Sequence, residues 1–167
     1  TSTGTCLHVL QGHSNAVLRL VWSPYGRILA SSSDDATIRL WDGQTGQCLR
    51  ILQGHQNSIW SLDWSLAEPL LASGSADDTL RLWNPQKGNC LRVLQGYSAS
   101  IHALAWNADN QTLAAGYDDH IIRLWNVQAE QCWKKLRGQL NQIWSLAWSP
   151  NQQTIAACSD NRAIELW

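Results

Sequence analysis

The chain has 167 residues, enough for one domain with a sizeable core, and its formal net charge at neutral pH is −1. Because this balance creates no strong acidic or basic field, we expect neither nucleic acid nor a membrane surface as a partner. No apolar run approaches the roughly 20 residues that a membrane-spanning helix needs, and no segment resembles a signal peptide.

The sequence repeats itself with a fixed step of 42 residues. The same residue types recur at Gly12, Gly54, Gly96 and Gly138, at Trp41, Trp83, Trp125 and Trp167, and at Cys6, Cys48, Cys90 and Cys132. A unit of this size cannot bury its apolar faces alone, so the units are expected to stack. We therefore predict a single domain, residues 1–167, built from repeats at approximately 1–41, 42–83, 84–125 and 126–167.

Short apolar runs separated by turn residues follow one another along the chain. The first unit opens with the run Thr5–Leu10, and the last unit ends with Ala163–Trp167. The second unit contains the runs Cys48–Leu52, Ser58–Trp64, Leu70–Ser75 and Thr79–Trp83. Runs of this length, rich in β-branched and aromatic residues, are typical of strands rather than helices. The pattern therefore predicts an all-β fold.

A Gly-His pair and a Trp-Asp pair frame the strands of a unit. Gly54-His55 precedes Trp83 by 28 residues, Trp41-Asp42 is a literal Trp-Asp pair, and Trp83-Asn84 and Trp125-Asn126 are relaxed forms. This frame resembles the WD40 β-propeller family over all 167 residues. The resemblance implies four blades, each of four antiparallel strands, around a channel. It also implies an offset: the segment before Gly-His is the outer strand of one blade, and the following strands begin the next.

The resemblance further implies that blades of this wedge shape close a ring at about seven or eight copies. Four blades would then leave two apolar faces and two strand edges open, which favours association. We expect a homodimer that closes one eight-bladed ring, with Thr5–Leu10 of one chain pairing with Ala163–Trp167 of the other. A self-closed four-bladed ring and a segment of a longer propeller are the alternatives. The chain has no Met, and its abrupt ends suggest an excised or designed segment.

A His, a Ser, an Asp and a Trp recur in the first two units at His13, Ser31, Asp35 and Trp41 and at His55, Ser73, Asp77 and Trp83. A Ser-His-Asp hydrolase triad is one interpretation. Because the set is repeated, we favour a buried structural chain from Trp through Ser and His to Asp, similar to the tetrads of WD40 blades. The matching residues in the later units are Tyr97, Ala115, Asp119 and Trp125, and Gln139, Ala157, Asn161 and Trp167. We expect those two blades to open more easily.

The cysteines do not have the short spacing of a metal site, so we predict no metal and no cofactor. We interpret them as free, mostly buried thiols in a reducing compartment, which indicates a cytoplasmic protein. Arg39, Arg81 and Arg123 each lie two residues before a strand Trp. They could form a ring that faces a ligand, or stack on the indoles. The basic cluster Lys134, Lys135 and Arg137 is interpreted as a solvated edge.

The rim that WD40 proteins usually use for binding provides the candidate docking site. Carried over to this sequence, its principal positions are Leu18, Asp34, Trp60, His102, Asp118, Trp144 and Asp160, with Ala16, Ser58, Ala76, Ser100 and Gln142 beside them. Trp60 and Trp144 are large aromatics that a core does not require, and either dock a peptide or protein or shield the channel mouth. In contrast, we predict that the Trp residues present in every unit are core: Trp22, Trp64, Trp106 and Trp148.

The residues therefore favour a non-catalytic scaffold that binds a protein or peptide. The alternative is a purely structural, self-assembling half-propeller without a ligand. A hydrolase that uses His13, Ser31 and Asp35 is the third hypothesis.

Overall fold

The computed structural model describes residues 4–66, 69–139 and 141–167. The strands are β1 (Val17–Trp22), β2 (Ile28–Ser33), β3 (Thr37–Asp42), β4 (Cys48–Gln53), β5 (Ile59–Trp64), β6 (Leu71–Ser75), β7 (Leu80–Asn84), β8 (Asn89–Leu94), β9 (Ile101–Trp106), β10 (Thr112–Tyr117), β11 (Ile121–Asn126), β12 (Gln131–Arg137), β13 (Ile143–Trp148), β14 (Ile155–Ser159) and β15 (Ile164–Leu166). The all-β prediction is confirmed, and no helix of the described residues is long and apolar enough to cross a membrane.

The strands form four antiparallel sheets, which are the blades of a propeller. Their strand orders are β1-β2-β3-β4, β5-β6-β7-β8, β9-β10-β11-β12 and β13-β14-β15. The first three blades have the four predicted strands, and the fourth has three in the described residues. Each blade begins after a Gly-His position rather than at a repeat boundary, which confirms the predicted offset between sequence repeat and blade.

A tight turn joins the second and third strands of every blade. Its third residue has a left-handed backbone, with φ of 62° at Ala36, 64° at Asp78, 64° at His120 and 65° at Arg162. In the first blade the Asp35 carboxylate accepts hydrogen bonds from the backbone N–H of Thr37 (2.9 Å) and from its hydroxyl (2.6 Å), and these bonds close the turn. The turn therefore holds Asp35 and its equivalents at one end of each blade.

Neighbouring blades pack through two complementary faces, which we call the front face and the back face. The front faces of the first three blades consist of Ala30, Ile38, Leu40 and Leu52; Ala72, Leu80, Leu82 and Leu94; and Ala114, Ile122, Leu124 and Leu136. They pack against back faces that include Ile59, Leu62, Trp64 and Leu71; Ile101, Leu104, Trp106 and Leu113; and Ile143, Leu146, Trp148 and Ile155. Each contact, which we call a seam, repeats the previous one 42 residues later.

The back face of the first blade and the front face of the fourth are open. Val17, Leu20 and Trp22 of β1 are 51%, 62% and 52% exposed. On β15, Ile164 and Leu166 are 74% and 67% exposed. These residues are the 42-residue equivalents of side chains that are buried in the internal seams.

The prediction that Trp22 is a core residue is therefore wrong. Its equivalents Trp64 and Trp106 are 5% and 6% exposed because a preceding blade covers them, and Trp148 is partly buried. Among the described residues no blade covers the back face of the first blade, so the Trp22 indole keeps half of its surface in contact with solvent.

The predicted outer strand Thr5–Leu10 is not a strand in the structure, since no strand begins before Val17 in the described residues. The physical reason is that a strand needs a partner for its backbone groups, and this segment has no neighbouring strand to pair with. Leu7 and Val9 are accordingly 80% and 76% exposed.

The cysteine prediction is partly wrong. All five thiols are free, as expected, but Cys6 and Cys48 are exposed, whereas Cys90, Cys132 and Cys158 are partly buried. Most of them lie on the outer strands, where one side faces solvent. The Cys48 thiol donates to the carbonyl oxygen of Arg50 at 3.5 Å, next to an irregularity in the pairing of β3 with β4.

Candidate functional site

The His, Ser, Asp and Trp of the first blade form one continuous hydrogen-bond chain. The Trp41 Nε1–H donates to Ser31 Oγ at 2.8 Å, and Ser31 Oγ lies 2.8 Å from His13 Nε2. His13 Nδ1 lies 2.9 Å from Asp35 Oδ2. With the imidazole proton on Nδ1, the Ser hydroxyl donates to Nε2 and every member of the chain is satisfied.

The second blade repeats the chain with nearly the same distances. Trp83 Nε1 lies 2.8 Å from Ser73 Oγ, which is 2.7 Å from His55 Nε2, and His55 Nδ1 is 2.8 Å from Asp77 Oδ2. Burial lowers the pKa of His55, although Asp77 opposes that shift. Burial alone would raise the pKa of Asp77, but hydrogen bonds from His55, the Thr79 hydroxyl and the Gln56 N–H hold it well below its usual range.

The arrangement does not have the form of a hydrolase site. Ser31 and Ser73 are 3% and 0% exposed. Each hydroxyl oxygen already contacts both an indole and an imidazole, so no face of it is open to a substrate carbonyl. The same hydrogen-bond chain occurs in two blades, and in both its Asp also closes a tight turn. The chain of contacts therefore links the third strand of a blade to the loop before its first strand.

The third blade has a different solution in the same place. Its Trp125 Nε1–H donates to the Tyr117 hydroxyl at 3.1 Å, because Ala115 offers no hydroxyl. The Arg123 guanidinium carbon lies 3.9 Å and 4.3 Å from the ring centroids of Tyr97 and Tyr117. Arg123 also forms a two-pronged ion pair with Asp119. We call Tyr97, Tyr117, Asp119, Arg123 and Trp125 the aromatic cluster.

Electrostatics support the ion pair of the aromatic cluster. Burial would raise the pKa of Asp119, but Arg123 lowers it. Burial would lower the pKa of Arg123, but Asp119 raises it. Arg123 lies over the two tyrosines rather than over Trp125, so the predicted stacking on the indole does not occur in this blade. The sequence analysis missed Tyr117 because it lies two residues beyond Ala115, at a position that is serine in the other units. In the first two blades that serine bonds the turn and not the indole.

Where the first two blades have the hydrogen-bond chain, the fourth blade has only polar contacts near its surface among the described residues. Asn161 Nδ2 donates to the Gln139 carbonyl oxygen at 2.7 Å, and Glu165 accepts from the Gln139 N–H at 2.7 Å. Among the described contacts, the Trp167 indole N–H has no acceptor, because Ala157 stands at the Ser position. In the described residues, this blade therefore has neither the His-Ser-Asp-Trp chain nor the aromatic cluster.

Two arginines explain the glycines of the Gly-His pairs. A Cβ placed on Gly12 would lie 2.5 Å from Nη1 of Arg39, and one on Gly54 would lie 2.7 Å from Nη1 of Arg81. Both glycines also have positive φ, 159° and 153°. The guanidinium groups therefore pack against the backbone beside the hydrogen-bond chain. A side chain at either glycine would have to displace an arginine and adopt a φ that L-residues rarely adopt.

At the candidate rim, the structure brings three of the predicted residues into one stack. The ring centroids of Trp60 and His102 are 5.3 Å apart, and those of His102 and Trp144 are 5.5 Å apart in an edge-on arrangement. The three residues occupy the same position on consecutive inner strands. We call this set the rim stack. Trp144 is 41% exposed, so the stack shields part of its own surface and leaves one indole open.

Polar groups fix the imidazole of the rim stack. His102 Nε2 lies 2.6 Å from Asp118 Oδ1, and Gln142 Nε2 lies 2.9 Å from the same carboxylate oxygen. His102 is 6% exposed, and its Nδ1 has no hydrogen-bond partner in the described part of the chain. A buried ring nitrogen without a partner is costly unless a bound group or a water satisfies it.

The remaining rim positions do not join the stack. Leu18 and Asp34 are partly buried and Asp160 is exposed. Asp34 and Asp118 hold equivalent places. The Asp34 backbone N–H donates to the carbonyl oxygen of Ala16, and that of Asp118 donates to the carbonyl oxygen of Ser100, both at 3.0 Å. A cavity of about 160 Å³ opens beside the stack among the inner strands, with Arg19, His102 and Trp144 in its wall. In the described residues, no group of three His, Cys, Asp or Glu side chains could hold a metal ion.

Comparison with known proteins agrees with this geometry. The family described as "IFT122 first beta-propeller" matches residues 1–167. Among curated proteins, nuclear distribution protein nudF 2 of Aspergillus clavatus is 56% identical over 39 residues, which is 23% of this chain and 9% of that protein. Nuclear distribution protein PAC1 of Arthroderma benhamiae is 54% identical over 41 residues, 25% of this chain and 9% of that protein.

A third relative, protein Mut11 of Chlamydomonas reinhardtii, is 50% identical over 40 residues, 24% of this chain and 11% of that protein. Each alignment is therefore about as long as one 42-residue repeat. The chain aligns with about a tenth of the length of these curated relatives, so the likeness concerns the repeat and not the whole of those proteins.

Proposed function

Because the chain belongs to the IFT122 first β-propeller family and is built from WD40 blades, we propose that it is a non-catalytic scaffold that docks a protein or peptide. The single observation that carries this proposal is the rim stack. It combines a half-exposed indole, Trp144, with a buried imidazole nitrogen, His102 Nδ1, that lacks a partner among the described residues. Exposed aromatic side chains beside unsatisfied polar groups are typical of binding surfaces.

The charge of the rim favours a basic peptide segment as the occupant. Asp34, Asp118 and Asp160 hold the position before or within the tight turn in three of the four blades, and Ala76 holds it in the second. The side chain of Asp118 is 41% exposed. A Lys or Arg side chain over the open face of Trp144 would combine a cation–π contact with attraction to the Asp118 carboxylate.

Binding to immobilised short peptides of basic, neutral and acidic composition tests this proposal. The wild-type chain should retain the basic peptides, and added salt should weaken their binding. Trp144→Ser and Asp118→Asn should each reduce binding about tenfold, a loss that corresponds to one good contact. The matched control is Trp133→Ser, because Trp133 is 57% exposed on the outer strand β12, away from the rim.

Equal binding by wild type and Trp144→Ser would overturn the rim proposal. The chain would then fit the second interpretation, a purely structural unit without a ligand of its own. We also place the scaffold in the cytoplasm, because its five free cysteines, two of them exposed, would be vulnerable to oxidation elsewhere.

A second proposal is self-association: two copies complete one eight-bladed ring as a homodimer. The observation that favours it is the pair of open apolar faces at the two ends of the row of blades. Exposed side chains there include Val17, Leu20, Trp22, Ile164 and Leu166. Light scattering behind a sizing column should give twice the mass of the 18.7 kDa chain. A value of 18.7 kDa at all concentrations would contradict the dimer.

A further inference from the structure

The two open faces of the molecule are the two halves of one repeated interface. Moving the front face of the third blade by one 42-residue step gives Ala156, Ile164 and Leu166 on the fourth blade. Moving the back face of the second blade one step in the other direction gives Val17, Leu20 and Trp22 on the first. Ala156 is partly buried, and the other five side chains are exposed.

We propose that the front face of the fourth blade packs on the back face of the first blade of a second copy, in the same arrangement as the three internal seams. The reciprocal contact then closes the ring through a twofold axis. This inference rests on the proposed homodimer and specifies its interface. The second copy is the occupant because one sequence supplies both complementary faces.

The N-terminal segment already lies where the outer strand of a preceding blade belongs. In the first internal seam, the turn of the second blade approaches the outer strand of the first, and a Cβ on Gly88 would lie 3.3 Å from Arg50 Cδ. One step earlier, a Cβ on Gly46 would lie 2.9 Å from His8 Cγ. His8 Nε2 also lies 2.8 Å from the Gln44 carbonyl oxygen.

The seam between the second and third blades has a contact at the equivalent positions. There Arg92 forms an ion pair with Glu130 at 3.1 Å. Positions 8, 50 and 92 and positions 46, 88 and 130 are each separated by 42 residues. The segment around His8 therefore contacts the first blade as an outer strand does, and lacks only the third strand with which it would pair.

The internal blades also give the register of that missing pair. In the first blade, Ile38 pairs with Leu52, Arg39 with Ile51, Leu40 with Arg50 and Trp41 with Cys48. The outer strand that would pair with β15 in the repeat corresponds, four steps of 42 residues earlier, to the N-terminal segment, so the pairing transfers to the seam between copies. The expected pairs, with the first residue from one copy and the second from the other, are Ile164 with Leu10, Glu165 with Val9, Leu166 with His8 and Trp167 with Cys6.

A Trp side chain ties two of the internal seams together. Trp64 Nε1–H donates to the Val21 carbonyl oxygen of the preceding blade at 3.2 Å, and Trp148 Nε1–H donates to that of Ala105 at 3.1 Å. In both hydrogen bonds the donor lies 43 residues after the acceptor in the sequence. The same rule assigns the Trp22 indole to the Ala147 carbonyl oxygen of the second copy, and Ala147 is exposed in the single chain.

One side-chain pair makes the seam specific. In the second and third blades, glycines face the isoleucine of the next blade: a Cβ on Gly74 would lie 2.9 Å from Ile101 Cβ, and one on Gly116 would lie 3.0 Å from Ile143 Cβ. The equivalents across the seam are Cys158 and Val17. Cys158 is larger than the glycine that it replaces, and Val17 is smaller than the isoleucine that it replaces. The smaller valine offsets part of the volume that the cysteine adds.

The pair Cys158 and Val17 therefore provides a direct test. Disulfides span about 3.8 Å between Cβ atoms. The built separations in the internal seams are shorter, 2.9 Å and 3.0 Å, so a small outward shift of the two residues brings them to bonding distance. After mild oxidation, Val17→Cys should form a disulfide with Cys158 and produce a species of twice the chain mass on a non-reducing gel. The controls are Val17→Cys with Cys158→Ser, and Leu49→Cys, which lies 47% exposed on the outer strand β4. Neither control should form that species.

The outcomes separate the seam from the dimer itself. A dimeric mass with a Cys158-dependent cross-link supports both. A dimeric mass without that cross-link overturns this seam and leaves the homodimer standing. If Val17→Cys instead forms its disulfide with Cys158 inside a single chain, without a change in mass, the chain closes on itself and the second copy is overturned. A monomer without any cross-link overturns both proposals.

A second variant tests the seam without a new disulfide. Trp22→Phe removes the Nε1–H but keeps a large aromatic side chain on the open back face, so the fold of the single chain should be unaffected. The dimer dissociation constant should rise about tenfold, the effect of losing a net hydrogen bond at each seam. An unchanged dissociation constant would overturn the assignment of Trp22 to Ala147.

Discussion

The first two blades and the third blade hold the same strand Trp by different chemistry. In the first two, Trp41 and Trp83 donate to a serine hydroxyl that continues through His to Asp. In the third, Trp125 donates to Tyr117, beside an arginine that lies between two tyrosine rings. What the architecture requires at this position is a satisfied indole N–H, and more than one set of side chains provides it.

The fourth blade shows the cost of having neither solution. Its Trp167 indole has no acceptor among the described residues, because Ala157 stands where the first two blades have serine. A blade that lacks a buried polar network should open at a lower free energy than the others. The sequence led us to expect easier opening in both later blades, and the aromatic cluster now restricts that prediction to the fourth.

Breaking the hydrogen-bond chain in the second blade should give the largest effect. Ser73→Ala leaves the Trp83 N–H and the His55 ring nitrogen without partners in a buried site, which should lower the free energy of unfolding by about 1–3 kcal/mol. Urea unfolding at one fixed protein concentration measures it. Ser58→Ala is the control, because its hydroxyl makes only a 3.5 Å contact with Asn57. Equal losses in both variants would contradict the role of the chain.

Removing one hydroxyl from the aromatic cluster should have a smaller effect. Tyr117→Phe deprives the Trp125 N–H of its acceptor but keeps the ring over which Arg123 lies, so we expect a loss of about 1 kcal/mol. Tyr25→Phe is the matched control, since Tyr25 is 89% exposed. If thermal unfolding of the two variants is the same, the Tyr117 hydroxyl does not replace the serine of the other blades.

The seam between the second and third blades should respond to pH through Asp63. Its carboxylate accepts from the backbone N–H of Trp106 in the next blade at 2.7 Å and from the backbone N–H of Trp64 at 2.9 Å. Here the indole bond of the other internal seams is missing, because the Trp106 Nε1 has no partner among the described residues. Burial raises the pKa of Asp63 to about 6.

The sign of the effect follows from that shift. A carboxyl whose pKa is higher in the folded state binds more protons there, so its contribution to stability is complete below the ordinary pKa and is lost as the pH rises through about 6. Lowered pKa values at His55, Asp35 and Asp77 act in the opposite direction.

The positions equivalent to Asp63 in the third and fourth blades hold alanine, Ala105 and Ala147. Asp63→Ala is therefore a substitution that the fold already accepts. Stability should then rise more steeply with pH between about 4 and 7, by on the order of 1 kcal/mol relative to the wild type over that range. Unfolding curves measured across this range test the difference. Parallel pH profiles for the two proteins would show that Asp63 titrates alike in the folded and unfolded chains.

Much of the fold is predictable from the sequence because the strands repeat. The second unit's strands begin and end within one residue of their predicted bounds, as for Thr79–Trp83 and the observed Leu80–Asn84. The Trp-Ser-His-Asp chain is also predictable, from its recurrence in two units and from the resemblance to the tetrads of WD40 blades. The role of Tyr117 is not predictable in this way, because it reaches Trp125 from a position that is serine in the other three units and does not contact the indole there. The exposure of Trp22 depends on a neighbouring blade, which no local pattern reveals.

The central claim is that the aromatic cluster replaces the hydrogen-bond chain in the third blade, whereas the fourth blade has no replacement in the described residues. Hydrogen exchange of the indole N–H groups, followed by NMR, tests it most directly. We predict that Trp125 exchanges as slowly as Trp41 and Trp83 and that Trp167 exchanges fastest of the four. Exchange of Trp125 as fast as that of Trp167 would contradict the claim, and so would equal protection of all four.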